Sequence, residues 1–268
     1  MEMQGSYNFF LVALSFLVAV FGSYTSLMLI GGLRERSGGA KFIWIAFAAV
    51  ALGGGAIWTM HFIGMLAYET SMPTGYDIGW TFVSLLVAVF IVGLGISLVS
   101  SDNKSMSRLL IAGFITGLGV ASMHYVGMDA MIMAADMIYD PVLVAISVLI
   151  AIVASVVAFW LAFNLNGNLQ RFISALVMGI AVCGMHYTGM AAMTMIHNVN
   201  KLVEIDSTME PLTLGLFIFC FSMLLLVICL IVALANLNKA MYEQMERDED
   251  EEDADTLDAS SSVISSAA

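Results

Sequence analysis

Apolar residues run through this chain in seven long stretches separated by short polar breaks. Each stretch is long enough to cross about 30 Å of hydrocarbon. The pattern predicts helices over Asn8–Leu29, Phe42–Ala67, Gly79–Val99, Leu109–Ala134, Val142–Phe163, Phe172–Met195 and Thr213–Leu237. The first stretch has Glu2 and no base in front of it, and no Ala-x-Ala site follows, so it reads as a retained span rather than a secretory signal. The breaks contain Pro73, Pro141 and Pro211 and the pairs Gly31-Gly32 and Gly38-Gly39, residues that interrupt helices or turn the chain. The expected fold is all-α: a polytopic membrane protein with seven transmembrane helices over residues 1–238, followed by a tail over 239–268.

Polar residues inside these stretches are few, and they recur. Met60-His61-Phe62-Ile63-Gly64-Met65, Met123-His124-Tyr125-Val126-Gly127-Met128 and Met185-His186-Tyr187-Thr188-Gly189-Met190 are three copies of one hexapeptide. A glycine stands seven positions before each histidine (Gly54, Gly117, Gly179), and the preceding helices share Ser15/Ala19, Ser84/Ala88 and Ser147/Ala151. The unit is a helix hairpin used three times, over 7–67, 79–134 and 142–195, with an extra helix over 213–237. Units that cross the membrane twice all point the same way. Packed around a pseudo-threefold axis, they would bring the three histidines toward one another, and small residues would allow that approach.

Composition agrees: 60% of the 268 residues are hydrophobic, 11% are charged, and the mean hydropathy is +0.95, which excludes an ordinary soluble domain. With the N-terminus outside, Arg34, Arg36, Lys41, Lys104, Arg108, Arg171, Lys239 and Arg247 fall on the cytoplasmic side and only Lys201 outside, as the positive-inside rule requires. The outer loops instead carry Glu69, Asp77, Asp136, Asp140, Glu204, Asp206 and Glu210. The net charge of −12 is concentrated in Glu243–Asp258, an acidic run expected to be a disordered cytoplasmic tail. There is no basic patch for nucleic acid. Cys183, Cys220 and Cys229 all fall within predicted spans, which speaks against a disulfide framework.

The motif has a definite chemistry. Helical spacing puts His124, Met128 and Met131 on one face, and likewise His186, Met190 and Met193; the first copy has His61, Met65 and Tyr68. Imidazole and thioether without carboxylates suit copper, above all Cu(I), whereas zinc, magnesium and calcium seldom recruit methionine. The candidate ligands are His61, His124, His186, Met60, Met65, Met123, Met128, Met185 and Met190, with Phe62, Tyr125, Tyr187, Met131 and Met193 as pocket-lining candidates. A single such histidine reads better as a helix–helix hydrogen-bonding residue than as a ligand, and methionine as a core filler. Three copies in register favour a metal or haem site. Rises of roughly 30, 24 and 22 Å from Lys41, Arg108 and Arg171 set the histidines toward the outer face. Asp129 points away from the histidine face, and His197 falls in an outer loop without an assigned role.

These residues resemble the MHYT domain, a bacterial integral-membrane sensor module. The third copy, Met185-His186-Tyr187-Thr188, spells out its motif, and the resemblance covers about residues 7–237. It implies a site in the cytoplasmic (inner) membrane that coordinates copper near the outer face through Met60 with His61, Met123 with His124 and Tyr125, and Met185 with His186 and Tyr187, and that senses O2, CO or NO. Phe62 departs from the motif tyrosine. Relatives often continue into a catalytic output domain. No catalytic motif follows the last span here, so the expectation is a non-enzymatic sensor acting through an unknown cytoplasmic partner. A haem-binding membrane cytochrome or a copper transport or handling protein are the alternatives.

Overall fold

The computed structural model describes residues 2–3, 5–33, 36–70, 72–100, 105–164, 167–198 and 210–266, with side chains for all of these except 2–3, 240 and 248–266. Arg34, Lys104, Lys201, Glu204 and Asp206 lie outside this set. The described residues contain seven helices long and apolar enough to span a membrane: α1 (Phe9–Gly31), α2 (Gly38–Leu66), α3 (Ile78–Val99), α4 (Met106–Asp129), α5 (Pro141–Asn164), α6 (Asn168–Ala191) and α7, which starts at Pro211. Two compact units divide the chain, Met1–Leu230 and Ile231–Ala268.

Within the first unit, α1 to α6 close a ring in which each helix packs against its sequence neighbours and α6 returns to α1. Glycines set the close crossings. A Cβ on Gly22 would lie 2.7 Å from the Ala56 backbone, and one on Gly113 2.8 Å from Val156 Cα.

Helix starts follow from capping. Asn8, Asp77 and Asp140 accept backbone N–H bonds at the starts of α1, α3 and α5 (Asn8 from Phe10, Asp77 from Trp80, Asp140 from Val142), satisfying donors that the first helical turn leaves free. Pro141 and Pro211, expected in loops, are the first residues of α5 and α7. There the missing N–H has no cost.

Two helices end earlier than hydropathy suggests. α4 was expected to reach Ala134 and α6 Met195, but they stop at Asp129 and Ala191 and continue as strands. The strands are β1 (Glu2–Met3), β2 (Ser6–Tyr7), β3 (Tyr68–Glu69), β4 (Gly75–Tyr76), β5 (Met131–Ile132), β6 (Ala135–Tyr139) and β7 (Met193–His197). Each helix hairpin is tied at its open end by an antiparallel ladder, with Tyr7 opposite Tyr68, Tyr76 opposite Met131 and Tyr139 opposite Met193. Beside each ladder, Asn8, Asp77 and Asp140 donate N–H to the carbonyls of Ala67, Ala130 and Ala192, each at 2.8 Å. Tyr68, Met131 and Met193 are therefore strand residues and do not extend the histidine face of a helix. Hydropathy missed the change because the strand residues Met131, Met193 and Met195, with Met133 between β5 and β6, are as buried as a helix core.

α2 contains a nine-residue π-helical segment, Val50–Trp58. Its extra residue shifts the glycine register. Gly117 packs against the backbone of Ala151 and Ile152, and the matching contact in α2 is made by Gly53 on Ala88 and Val89, not by Gly54 as the spacing suggests.

In the second unit the backbone is helical through Ser266, so the acidic segment expected to be disordered continues α7. A helix already nucleated needs only propagation, and Glu, Met, Arg and Ala propagate it well.

Candidate metal centre

The three motif helices each deliver one imidazole to a common point. His61 and His186 have Nδ1 atoms 3.1 Å apart, His124 and His61 3.1 Å, and His186 and His124 3.3 Å. The rings meet edge-on, with centroids 4.9 to 5.2 Å apart. All three are at most 1% exposed, so water does not reach the triangle from outside. The three histidines proposed from sequence are thus brought together.

The motif glycine explains how. A Cβ on Gly127 would overlap His61 Nε2, one on Gly189 would overlap His124 Nε2, and one on Gly64 would overlap His186 Nε2. Each imidazole lies on the glycine of another motif, in the cyclic order first on second, second on third, third on first. Only a residue without a side chain leaves that space.

The triangle is chemically incomplete on its own. A neutral imidazole has one proton and one in-plane lone pair, so three mutually adjacent Nδ1 atoms cannot all be paired by each other's protons. The three Nε2 atoms are also buried without a hydrogen-bond partner, which is costly in an apolar interior. Nitrogens about 2.0–2.1 Å from one shared ion stand roughly 3.3–3.6 Å apart. The observed spacing is within a few tenths of an ångström of that, so the residues fit a cation held by all three Nδ1 lone pairs.

The motif methionines Met60, Met65, Met123, Met128, Met185 and Met190 are at most 2% exposed, apolar and polarizable side chains shut away from solvent. Cys183 is half-buried and outside the histidine cluster. Asp129 is exposed at the end of α4, and His197 is exposed on β7 opposite Ala135.

The motif aromatics form a second ring. Phe62 packs on Tyr76, Tyr125 on Tyr139 and Tyr187 on Tyr7, with centroids 6.1, 5.6 and 5.7 Å apart. Tyr125 Oη lies 2.7 Å from Ser147 Oγ, and Tyr187 Oη 3.0 Å from Ser15 Oγ. Those serines give their own protons to Val144 and Val12 carbonyls, so the tyrosines donate. Phe62 has no hydroxyl, and the Trp58 indole N–H, one turn earlier, donates to Ser84 instead at 2.9 Å. Burial, followed by the nearby Tyr68 and Tyr187, pushes the Tyr7 phenol up to about 12. Burial, then Asp129 and Tyr125, does the same to Tyr139, also to about 12. Sequence reasoning missed Tyr7, Tyr76 and Tyr139. The signal was present: a tyrosine directly before each capping Asn or Asp (Tyr7-Asn8, Tyr76-Asp77, Tyr139-Asp140).

The family model for the MHYT bacterial signalling protein N-terminal repeat matches residues 54–112, 117–175 and 179–247. Among relatives, MucR of Pseudomonas aeruginosa, a bifunctional diguanylate cyclase/cyclic di-GMP phosphodiesterase, is 44% identical over 70% of this chain and 28% of its own length. The signalling protein YkoW of Bacillus subtilis is 34% identical over 84% of the chain and 29% of its own length. The cyclic di-GMP phosphodiesterase NbdA of P. aeruginosa is 36% identical over 78% and 27%. The chain spans less than a third of these relatives. No solved structure matches the chain. The matches begin at Gly54, Gly117 and Gly179, the glycine before each motif histidine, and together cover more than half of the residues. The chain belongs to the MHYT family of bacterial membrane signalling repeats.

Proposed function

We propose that this chain is a non-enzymatic membrane sensor that holds copper on His61, His124 and His186 and passes the state of that site to a partner protein. The observation that carries this reading is the convergence of the Nδ1 atoms of three buried imidazoles on one point. A copper ion supplies a redox-active, gas-binding centre. The protein's part is to orient the three Nδ1 lone pairs, exclude water and surround the site with thioethers that favour a soft ion. Two axial nitrogens on haem iron stand roughly 4 Å apart with a porphyrin between them. The tighter triangle favours a single shared ion over haem.

The stimulus is a diatomic gas (O2, CO or NO) or the metal itself. A cavity of about 40 Å³ lies among α2 to α6, lined almost wholly by apolar side chains including Val120, Val182 and Met185, the residue before His186. It has room for more than one water-sized sphere but too few polar groups to hold water well, which supports occupancy by a small apolar molecule. The placement is the bacterial cytoplasmic membrane with the N-terminus outside: Arg36, Lys41, Arg108 and Arg171 lie at the helix ends away from the strands, as expected for the cytoplasmic side. For a ligand to signal, it must bind two helix packings with unequal affinity.

The test is metal analysis and an optical spectrum of purified protein. Wild type retains copper, and the triple variant His61→Ala, His124→Ala, His186→Ala loses it. Full retention in the triple variant, or an intense haem Soret band, overturns the proposal.

A further inference from the structure

The three corners of the triangle are alike, but among the described residues only the first is held from outside by another helix. On α4 and α6 the residues six before the histidine are Leu118 and Ile180, 40% and 62% exposed, as on a lipid-facing surface. The residue six before the histidine on α2 is Gly55, where a Cβ would lie 2.5 Å from Leu226 of α7. Two residues before the histidine, Ser122 turns back to its own Leu118 carbonyl, and Gly184 has open space around it. Thr59, at that position on α2, is buried, with its hydroxyl 2.9 Å from the Gly54 carbonyl and 2.6 Å from Ser222 Oγ of α7. A carbonyl only accepts, so the two hydroxyls supply the protons for both bonds. Beyond the histidine, Leu66 fills the space over Gly215 of α7. α7 thus grips α2 on both sides of His61 in sequence.

The gripped segment is the one irregular part of the motif helices. Val50–Trp58 is π-helical, and Thr59 bonds the carbonyl five residues back, inside it. A π turn stores one extra residue, and releasing it turns the following residues by about 100° and moves them by about 1.5 Å along the axis. His61 is three residues beyond this segment.

We propose that the π segment of α2 with Thr59 and Ser222 is the output latch of the sensor: a change at His61 alters the π winding and is handed to α7 through the Thr59–Ser222 bond and the Leu226–Gly55 contact. This rests on the metal-site reading above. α2 is then the reporting helix, while α4 and α6 only complete the triangle. The latch is a two-state element that both site and output bias, as coupling requires.

The experiment is hydrogen–deuterium exchange on the full chain in detergent, with and without copper(I) supplied by a chelating buffer. In wild type, copper changes exchange in both Val50–Trp58 and Leu214–Leu230. In the double variant Thr59→Val, Ser222→Ala, copper affinity stays within about threefold and the α2 change persists, while the α7 change falls at least about fivefold. Thr59→Ser, which keeps the hydroxyl, retains the α7 response and shows that loss in the double variant is not a folding defect. An equal α7 response in the double variant, or copper binding in wild type with no α7 response, overturns the latch alone. Failure of wild type to bind copper removes the functional reading beneath it.

Discussion

The first repeat and the other two build the same corner from different parts. The second and third use a regular helix, a tyrosine hydroxyl on a serine, and a face left open to lipid. The first uses a π segment, an indole on the serine, and a face covered by α7. What does not change is the histidine, the glycine under the neighbouring imidazole, the alanine that ends the helix and the Asn or Asp that starts its partner. Geometry at the point of convergence is fixed to a few tenths of an ångström. Around it, the serine hydroxyl needs a donor, and an indole serves as well as a phenol.

Substitution at the cradle glycine should have the largest effect. Gly127→Ala puts a methyl into the His61 ring, so the protein loses copper binding and about 1–3 kcal/mol of stability from overpacking, read by metal content and thermal unfolding in detergent. Gly64→Ala and Gly189→Ala should match it, because the triangle is symmetric. If one of the three were tolerated, the cyclic cradle would be wrong. An intermediate effect separates the two glycines of the π segment. Gly53→Ala meets the Ala88 backbone and should destabilise by about 1–3 kcal/mol, whereas Gly54→Ala meets only side chains at 3.4 to 3.5 Å and should be nearly neutral. The reverse order would restore the register read from sequence. The smallest effect tests the donor exchange. Tyr125→Phe and Trp58→Phe should each cost about 0.5–1.5 kcal/mol by leaving Ser147 or Ser84 without its donor. Phe62→Tyr in the Trp58→Phe background should recover most of that loss if the two donors are interchangeable.

The helices and the convergence of the histidines were legible in the sequence, because hydropathy marks spans and a repeated motif in parallel hairpins has few ways to pack. The strands were not. Met131, Met133, Met193 and Met195 continue the apolar run past the helix ends, and two of the three hairpin ladders are only two residues long, too short to show alternation. Nor was the π segment, since Gly53-Gly54-Gly55 offers three glycines and no periodicity to choose among them. The serine pattern was visible, but its purpose needed the tyrosines and Trp58 to be placed across the helix interface. The helical continuation of α7 went unread because its composition alone suggests a solvated chain.

The cyclic seating of each imidazole on another motif's glycine has a consequence for biosynthesis. No corner can form from a single hairpin and only one from the first two: the first ring waits for the second motif, the second for the third, and the third closes back onto the first. A nascent chain halted before Gly189 therefore has no ion-competent centre at all.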